Sequence, residues 1–414
     1  MKMRSYDVVI AGAGPAGLMC AYHAAKRGLG VLVVEKNQQS AKKLRITGKG
    51  RCNLINACEV SEFLENIRRN SKFLYSSIYS FPPSEIMSFF ENRDLPLVIE
   101  RGNRVFPLSS NAHDVAETLI FAAKREGVRI IKGRVSGIRV IENTVSSVMV
   151  DGTRQITCKA AVIATGGMSY PKTGSDGDGY MLAKELSHTV IPVRGSLVPI
   201  VCDGDEACMQ GLSLRNVELI AEKNKRIIFK QMGELLFTHF GVSGPLILSL
   251  SSHLLDENLK DINVYIDLKP ALDDNKLEKR IIRDFRENSN KDFANSLDAL
   301  LPKKLIPIVM ARSKIPHDKK INSITVAERK AIIDIVKHFS LSLKEFRPID
   351  EAVVTAGGID VNEVDPKTMM SKKINNLYFA GEVLDVDGYT GGFNLGIAFA
   401  TGAKAGNSIQ INKE

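Results

Sequence analysis

Apolar and polar positions along the 414-residue chain change period from segment to segment, and each period predicts its own element. Residues 6–11 (YDVVIA) and 31–36 (VLVVEK) are short β-branched runs, and an apolar-rich stretch between them extends to Arg27. This predicts strand, glycine turn, helix, strand. Residues 113–127 (HDVAETLIFAAKREG) read as an amphipathic helix ended by Gly127. Residues 128–152 read as a strand-rich meander, and 158–167 (CKAAVIATGG) as an apolar strand entering a glycine turn. From about residue 190 short alternating strands take over, at 190–204, 212–238 and 263–270. Leucines and charged residues then recur at helical spacing from Leu272 to about Lys344, broken by Pro302, Pro307 and Pro316. Residues 347–366 return to strand and turn. A strand at 377–380 finally leads through a glycine-rich turn into an apolar helix from about Asn394. The order predicts an α/β protein whose residues 1–189 and 346–414 form one domain. An insert at 190–345, β-rich over 190–270 and helical over 271–345, interrupts it and is long enough to fold by itself.

The first turn reads GAGPAG. Gly12 permits the tight turn, Gly14 lets the backbone approach a pyrophosphate, and Gly17 lets the helix pack close to the sheet. Pro15 and Ala16 open that helix, whose free N–H groups and positive dipole end suit a phosphate. Glu35 ends the second strand, where a carboxylate can accept both hydroxyls of an adenosine ribose. An acid here argues against a 2′-phosphate, which leaves FAD or NAD. At the far end, Gly381 and Glu382 begin a second glycine loop that feeds a helix N-terminus at Gly392, Phe393, Asn394 and Leu395. Alone this is equally a plain strand–turn–helix; paired with GAGPAG it suits the negative charge of a reduced flavin. Asp385 either shapes the turn between them or touches the cofactor.

With 44% hydrophobic and 25% charged residues the composition is that of a soluble protein. No run of about 18 apolar residues suggests a spanning helix, so no membrane partner is expected. The basic, apolar N-terminus has the look of a secretory leader, but Asp7 and the three glycines break that pattern. The net charge of +9 is scattered rather than blocked. It attracts nucleotide phosphates, nucleic acid or acidic substrates, or is simply a solvated basic surface. Six cysteines include no CxxC and no zinc spacing, so no metal is expected, and reduced thiols point to the cytoplasm.

GAGPAG with Glu35, TGKGRCNLIN at 47–56, ATGG at 164–167, LLFTHFGVSGP at 235–245 and AGEVLDVDGYTGGFN at 380–394 together resemble the bacterial BaiN/YhiN-like flavoproteins. These are also known as NAD(P)/FAD-dependent or aminoacetone-oxidase-like oxidoreductases. The resemblance spans nearly the whole chain. It implies a Rossmann-like FAD-binding domain of the two-dinucleotide-binding-domain type, one FAD, and an inserted domain with a β-barrel part and a helical part. One branch of the family is credited with reducing conjugated double bonds of steroid-like bile acid intermediates.

Residues 48–58, GKGRCNLINAC, invite three readings. A Walker loop fails because no GxxxxGK[ST] is present. A redox dithiol fits poorly, since Cys52 and Cys58 have five residues between them where disulfide reductases have four. The third is a cofactor loop: Gly48 and Gly50 bring the backbone near the flavin, Arg51 offers a planar fork to pyrophosphate or substrate anions, and Asn53 serves the flavin edge. The family's GRCN segment beside FAD matches Gly50 to Asn53. Lys36 and Lys43 add positive charge near the adenosine and phosphates, unless they are solvated surface. In flavoproteins of this build the strand near Val135 passes the adenine, and Thr165 and Gly166 turn close to the cofactor.

For catalysis, His239 is the proton-donor candidate, with a turn-stabilising histidine as the equal alternative. Arg51 and Tyr170 are an anion anchor and a phenolic donor. No second GxGxxG supplies a separate module for NADH or NADPH, although either could still reduce the flavin. The expected reaction is reduction of an activated carbon–carbon double bond of a small apolar molecule. The alternatives are an amine or alcohol oxidase using oxygen, and a flavoprotein associated with nucleic acid, which is not the expected partner. Oligomeric state is left open.

Overall fold

The computed structural model describes residues 5–287 and 289–411. The chain forms two compact units, one from residues 1–196 with 348–414 and one from 197–347. In the first, the strand Tyr6–Ala11 pairs in parallel with Val31–Glu35 on one side and Arg154–Ile163 on the other. Arg129–Lys132 extends the sheet beyond Val31–Glu35, and Leu377–Phe379 adds to the end of Arg154–Ile163, both in parallel. Every residue of Val31–Glu35 is buried. Such strands are covered on both faces, which is why they read as continuous apolar runs. Val135–Ile141, Thr144–Val150 and the start of Arg154–Ile163 form an antiparallel meander.

The helix Pro15–Lys26 lies against the C-terminal helix Phe393–Ser408. A Cβ on Gly402 would stand 2.3 Å from the Ala16 carbonyl oxygen, and one on Gly406 2.4 Å from that of Cys20. The two backbones touch, and no larger residue fits at either place. A small sheet of Ile55–Asn56, Arg104–Pro107 and Leu97–Glu100 follows the GRCN loop.

In the second unit seven strands form a second sheet, edged by Phe339–Leu341 and Leu343–Phe346. Ser342 alone separates these two edges in sequence, so the sheet must curl until its edges meet. Helices Asp274–Glu287, Ile306–Ser313 and Val326–Lys337 join its core through buried Leu277, Val309 and Ile332.

Two segments depart from the sequence reading. Val190–Ser196, assigned above to the insert, pairs antiparallel with Val354–Ile359 and belongs to the first unit. Its partner lies beyond the whole insert, where no local pattern points. Residues 339–345, read as the end of a helical stretch, lie instead in the strands Phe339–Leu341 and Leu343–Phe346, which pair with Ile262–Asp267 and with Ile200–Cys202. Tertiary pairing overrides weak local propensity here. Among the described residues no helix is long and apolar enough to cross a membrane, and no group of three His, Cys, Asp or Glu could hold a metal ion.

Candidate functional site

The strand Tyr6–Ala11 ends in a turn that three glycines shape differently. Gly12 has φ of +101°, which costs a residue with a side chain about 1–2 kcal/mol. A Cβ there would also meet the Ala164 carbonyl oxygen at 2.5 Å, and one on Gly17 would meet the Gly12 oxygen at 2.0 Å. Gly14 is the opposite case: a Cβ there meets nothing within 4 Å. The turn is therefore packed shut at Gly12 and Gly17 and open at Gly14, in front of the helix N-terminus. That helix, Pro15–Lys26, has no acidic residue in its first turn to offset its positive end.

Glu35 is 8% exposed and sits beside this turn. Its Oε2 accepts from Ala13 N at 2.8 Å, and its Oε1 accepts from the backbone and side-chain nitrogens of Asn37, both at 2.8 Å. A carboxylate has about four acceptor sites, so three donors leave room for a hydroxyl.

Two other predicted segments reach this turn and its helix, and two more join each other. Ala164 N donates to Ala11 O at 2.9 Å, which sets Thr165 and Gly166 beside Gly12. A Cβ on Gly381 would lie 2.7 Å from Ala16 Cβ, so the far glycine loop starts against the first helix. It ends at Gly392, whose φ of +99° and position against Ile55 admit no side chain. Asn56 Nδ2 donates to Gly391 O at 3.2 Å, and the Asn53 amide, oriented to satisfy both its ends, accepts from Gly392 N at 3.2 Å and donates to Ile55 O at 3.3 Å. Asn394 closes the same loop by accepting from Gly388 N and donating to Gly388 O, at 2.9 and 2.8 Å. The GRCN loop and the start of the C-terminal helix are thus one joined structure. Phe393 is buried against Phe63, Leu395 is half-buried, and no acid occupies that helix's first turn either.

Residues 6–408 match the family described as the HI0933-like protein Rossmann domain. The chain belongs to that family. It is 29% identical over 96% of its length to a 3-dehydro-bile acid delta(4,6)-reductase from Clostridium scindens, covering 98% of that protein. It is also 30% identical to a ribosomal RNA dihydrouridine synthase from Haemophilus influenzae, with 99% of both chains covered. Among solved structures, the fold matches 3-ketosteroid-delta4-(5alpha)-dehydrogenase from Rhodococcus jostii RHA1 with a TM-score of 0.52 at 14% identity, covering 98% of this chain and 96% of that one. It matches 3-ketosteroid delta1-dehydrogenase from Sterolibacterium denitrificans with a TM-score of 0.53 at 12% identity, covering 97% and 99%.

The HI0933-like chain is an FAD-dependent oxidoreductase, and the turn fits that cofactor: it is open at Gly14 in front of a helix N-terminus, with the buried carboxylate of Glu35 beside it. Several predicted cofactor or catalytic residues have other partners. Lys36 pairs with Asp176 and Asp178. Lys43 Nζ donates to Ser169 Oγ at 2.6 Å and to Glu382 Oε2 at 2.8 Å, and Glu382 Oε1 also accepts from Thr355 N. Arg51 pairs with Glu100 and stacks on Phe106 at 4.4 Å, so its charge is already compensated. Val135 is buried opposite Val150 in the meander. Asp385 is 8% exposed and accepts from Asn70 Nδ2 at 3.0 Å, and burial pushes its carboxyl up. Tyr170 lies in a left-handed turn with 39% of its surface exposed. His239 is exposed in the turn after Arg226–Thr238 of the second unit, its ring edge-on to Phe240 at 5.0 Å.

Sequence reasoning missed Ser169, Thr355 and Asn56. The first two meet through Glu382 across more than 180 residues of chain, with no local pattern to mark them. Asn56 lay within the quoted GKGRCNLINAC segment, and its polar side chain between apolar neighbours was the available signal.

Proposed function

We propose that this protein reduces a carbon–carbon double bond conjugated to a carbonyl group, with FAD held by the first unit. The observation that carries the cofactor is the first turn, packed shut at Gly12 and Gly17 and open at Gly14, with the GRCN loop tied to the start of the C-terminal helix. The bond is supported by the relatives' names. A bile acid delta(4,6)-reductase and a dihydrouridine synthase both reduce a double bond next to a carbonyl, on a steroid and on uracil. FAD, when bound, supplies the hydride, and the reaction then needs one proton for the carbon next to the carbonyl.

In this reading Gly12, Gly14, Pro15, Ala16 and Gly17 receive the pyrophosphate, Glu35 the adenosine ribose, and Val135 the adenine. Thr165, Gly166, Gly381, Glu382 and Asp385 border the cofactor's middle. Gly48, Gly50, Asn53 and Gly392 to Leu395 border its flavin end, where the positive helix terminus favours negative charge. His239 supplies the proton, with Arg51 and Tyr170 as lesser candidates for substrate contact. NADH or NADPH is the donor.

A small apolar enone is the first substrate class. A uracil base in ribosomal RNA is the second reading, supported by a relative of that name covering the whole chain and by the net charge of +9. The test is anaerobic. NADH, then NADPH, is added to the yellow protein, and flavin absorbance is followed until it bleaches. A 3-oxo-4-ene steroid or uridine-containing ribosomal RNA is then added to the reduced protein. Return of colour with one of them names the class. In a separate aerobic run, reoxidation by oxygen with peroxide formed, both acceptors having been inert, would overturn the reductase reading in favour of an oxidase. His239→Ala should slow the return of colour and spare the bleaching.

A further inference from the structure

Residues 36–43 follow directly on Glu35, and four of their side chains reach one other segment, 169–178. Lys36 pairs with Asp176, and with Asp178 Oδ2 at 2.8 Å. Asn37 Nδ2 donates to Thr173 O at 3.0 Å, Lys42 Nζ to Lys172 O at 2.7 Å, and Lys43 Nζ to Ser169 Oγ at 2.6 Å. As the numbers rise on one segment they fall on the other, so the two run antiparallel and close like a zipper. One end lies at Glu35. The other is fixed at Glu382, which Lys43 and Ser169 share, beside Gly381 and the first helix. The zipper thus runs from the acid Glu35 to the loop at Gly381 and Glu382.

Its bonds come from side chains, because the segment 169–178 is irregular: Tyr170, Gly174 and Gly177 all have positive φ. A Cβ on Gly174 would collide with Asn37 Nδ2 at 2.3 Å, so the two segments are in direct contact. Arg134 adds a second cation on Asp178, through Nε at 3.1 Å.

We propose that residues 169–178 are a strap buckled over the bound dinucleotide, and that Lys36 and Lys43 retain FAD by closing this strap rather than by touching its phosphates. The inference rests on the cradle holding FAD. Release of the cofactor then requires the zipper to open first, and the release rate, not the capture rate, carries the effect.

Two variants of the holoenzyme separate this from direct phosphate contact, read as the rise of flavin fluorescence when FAD leaves the diluted protein. Lys36→Met should speed release under either idea. Asp176→Asn decides, since Asp176 is 43% exposed and its loss does not threaten the fold. If Lys36 served a phosphate, freeing it from Asp176 would strengthen binding and slow release. If it buckles the strap, release quickens by about two- to fivefold, the range of a partly exposed ion pair. Added salt should quicken release of the wild type and narrow its gap from the variant. Unchanged or slower release from Asp176→Asn overturns the strap, while a purified wild type without flavin overturns the cofactor reading instead.

Discussion

Gly14→Val tests the cradle by separating folding from cofactor binding. Gly14 has φ of −80° and ψ of −178°, an extended conformation open to any residue, including a β-branched one. Its Cβ would meet nothing within 4 Å. Gly14 is the N-cap of the helix Pro15–Lys26, where valine is disfavoured, so the substitution should lower the stability of the cofactor-free protein by about 1 kcal/mol. The same side chain fills the space in front of the helix N-terminus that the proposed function gives to the pyrophosphate. Losing one charge-assisted hydrogen bond there costs about 1.5–3 kcal/mol, or roughly ten- to a hundredfold in FAD affinity. Two readouts suffice: the ratio of flavin to protein absorbance after purification, and the melting temperature with and without added FAD. Saturating ligand at 1,000 times Kd stabilises by about 4 kcal/mol, and a hundredfold loss of affinity removes about 2.7 kcal/mol of that. Gly17→Val is the contrast, because its Cβ would sit 2.0 Å from the Gly12 oxygen, and it should fail to fold. A Gly14→Val protein that keeps stoichiometric FAD and the wild-type melting shift would refute the assignment of this glycine to the phosphates.

Glu35→Gln should lower FAD affinity by about tenfold, since a carboxamide has one oxygen for the acceptor work that the carboxylate shares between Ala13, Asn37 and a ribose hydroxyl; a flavin-release titration measures it. His23 lies between the Tyr22 and Phe81 rings, and burial pushes its pKa down to about 4. A base held below its unfolded pKa contributes full stability above about 6.5 and loses it as pH falls towards 4, here by at most about 3 kcal/mol, so denaturant midpoints should fall in that window and His23→Leu should flatten the fall. Glu363 has the opposite origin. Burial alone would raise it, but Lys373 and Thr189 outweigh burial and bring it down to about 2, so its contribution is present above about 4.5, is lost as pH falls from there to 2, and should vanish in Glu363→Gln on the same titration.

Much of the first unit is readable from local sequence, because a strand, a glycine turn and a helix are each specified by neighbouring residues. The roles of Lys36, Lys43 and Arg51 are not. As isolated cations beside a phosphate motif they invite a phosphate, and only the fold shows Asp176, Glu382 and Glu100 next to them, between 49 and 339 positions away in the chain. Charge is an unspecific sequence signal, since it names no partner. Val190–Ser196 teaches the same lesson for the backbone: its register partner, Val354–Ile359, follows the entire insert. Strand pairing at that separation leaves no periodicity to read.

GKGRCNLINAC shows why residue type needs geometry before chemistry. Thiol–disulfide exchange needs a thiolate, and Cys52 is fully buried, with burial pushing its thiol up to about 12. Cys58 is buried too and, by the same cause, pushed to about 11. Neither is an effective nucleophile at neutral pH, and the dithiol reading loses its chemistry. What the segment does supply is attachment. Cys52 N donates to Thr47 O at 3.0 Å in a left-handed turn, and the next residues reach Gly391 and Gly392 through the amides of Asn53 and Asn56. A thiol reagent at pH 8 should therefore modify exposed Cys208 first and leave Cys52 untouched until the protein unfolds. Rapid labelling of Cys52 in the folded protein, with loss of flavin, would instead show that the loop opens, and that its ties to the C-terminal helix are weaker than their geometry implies.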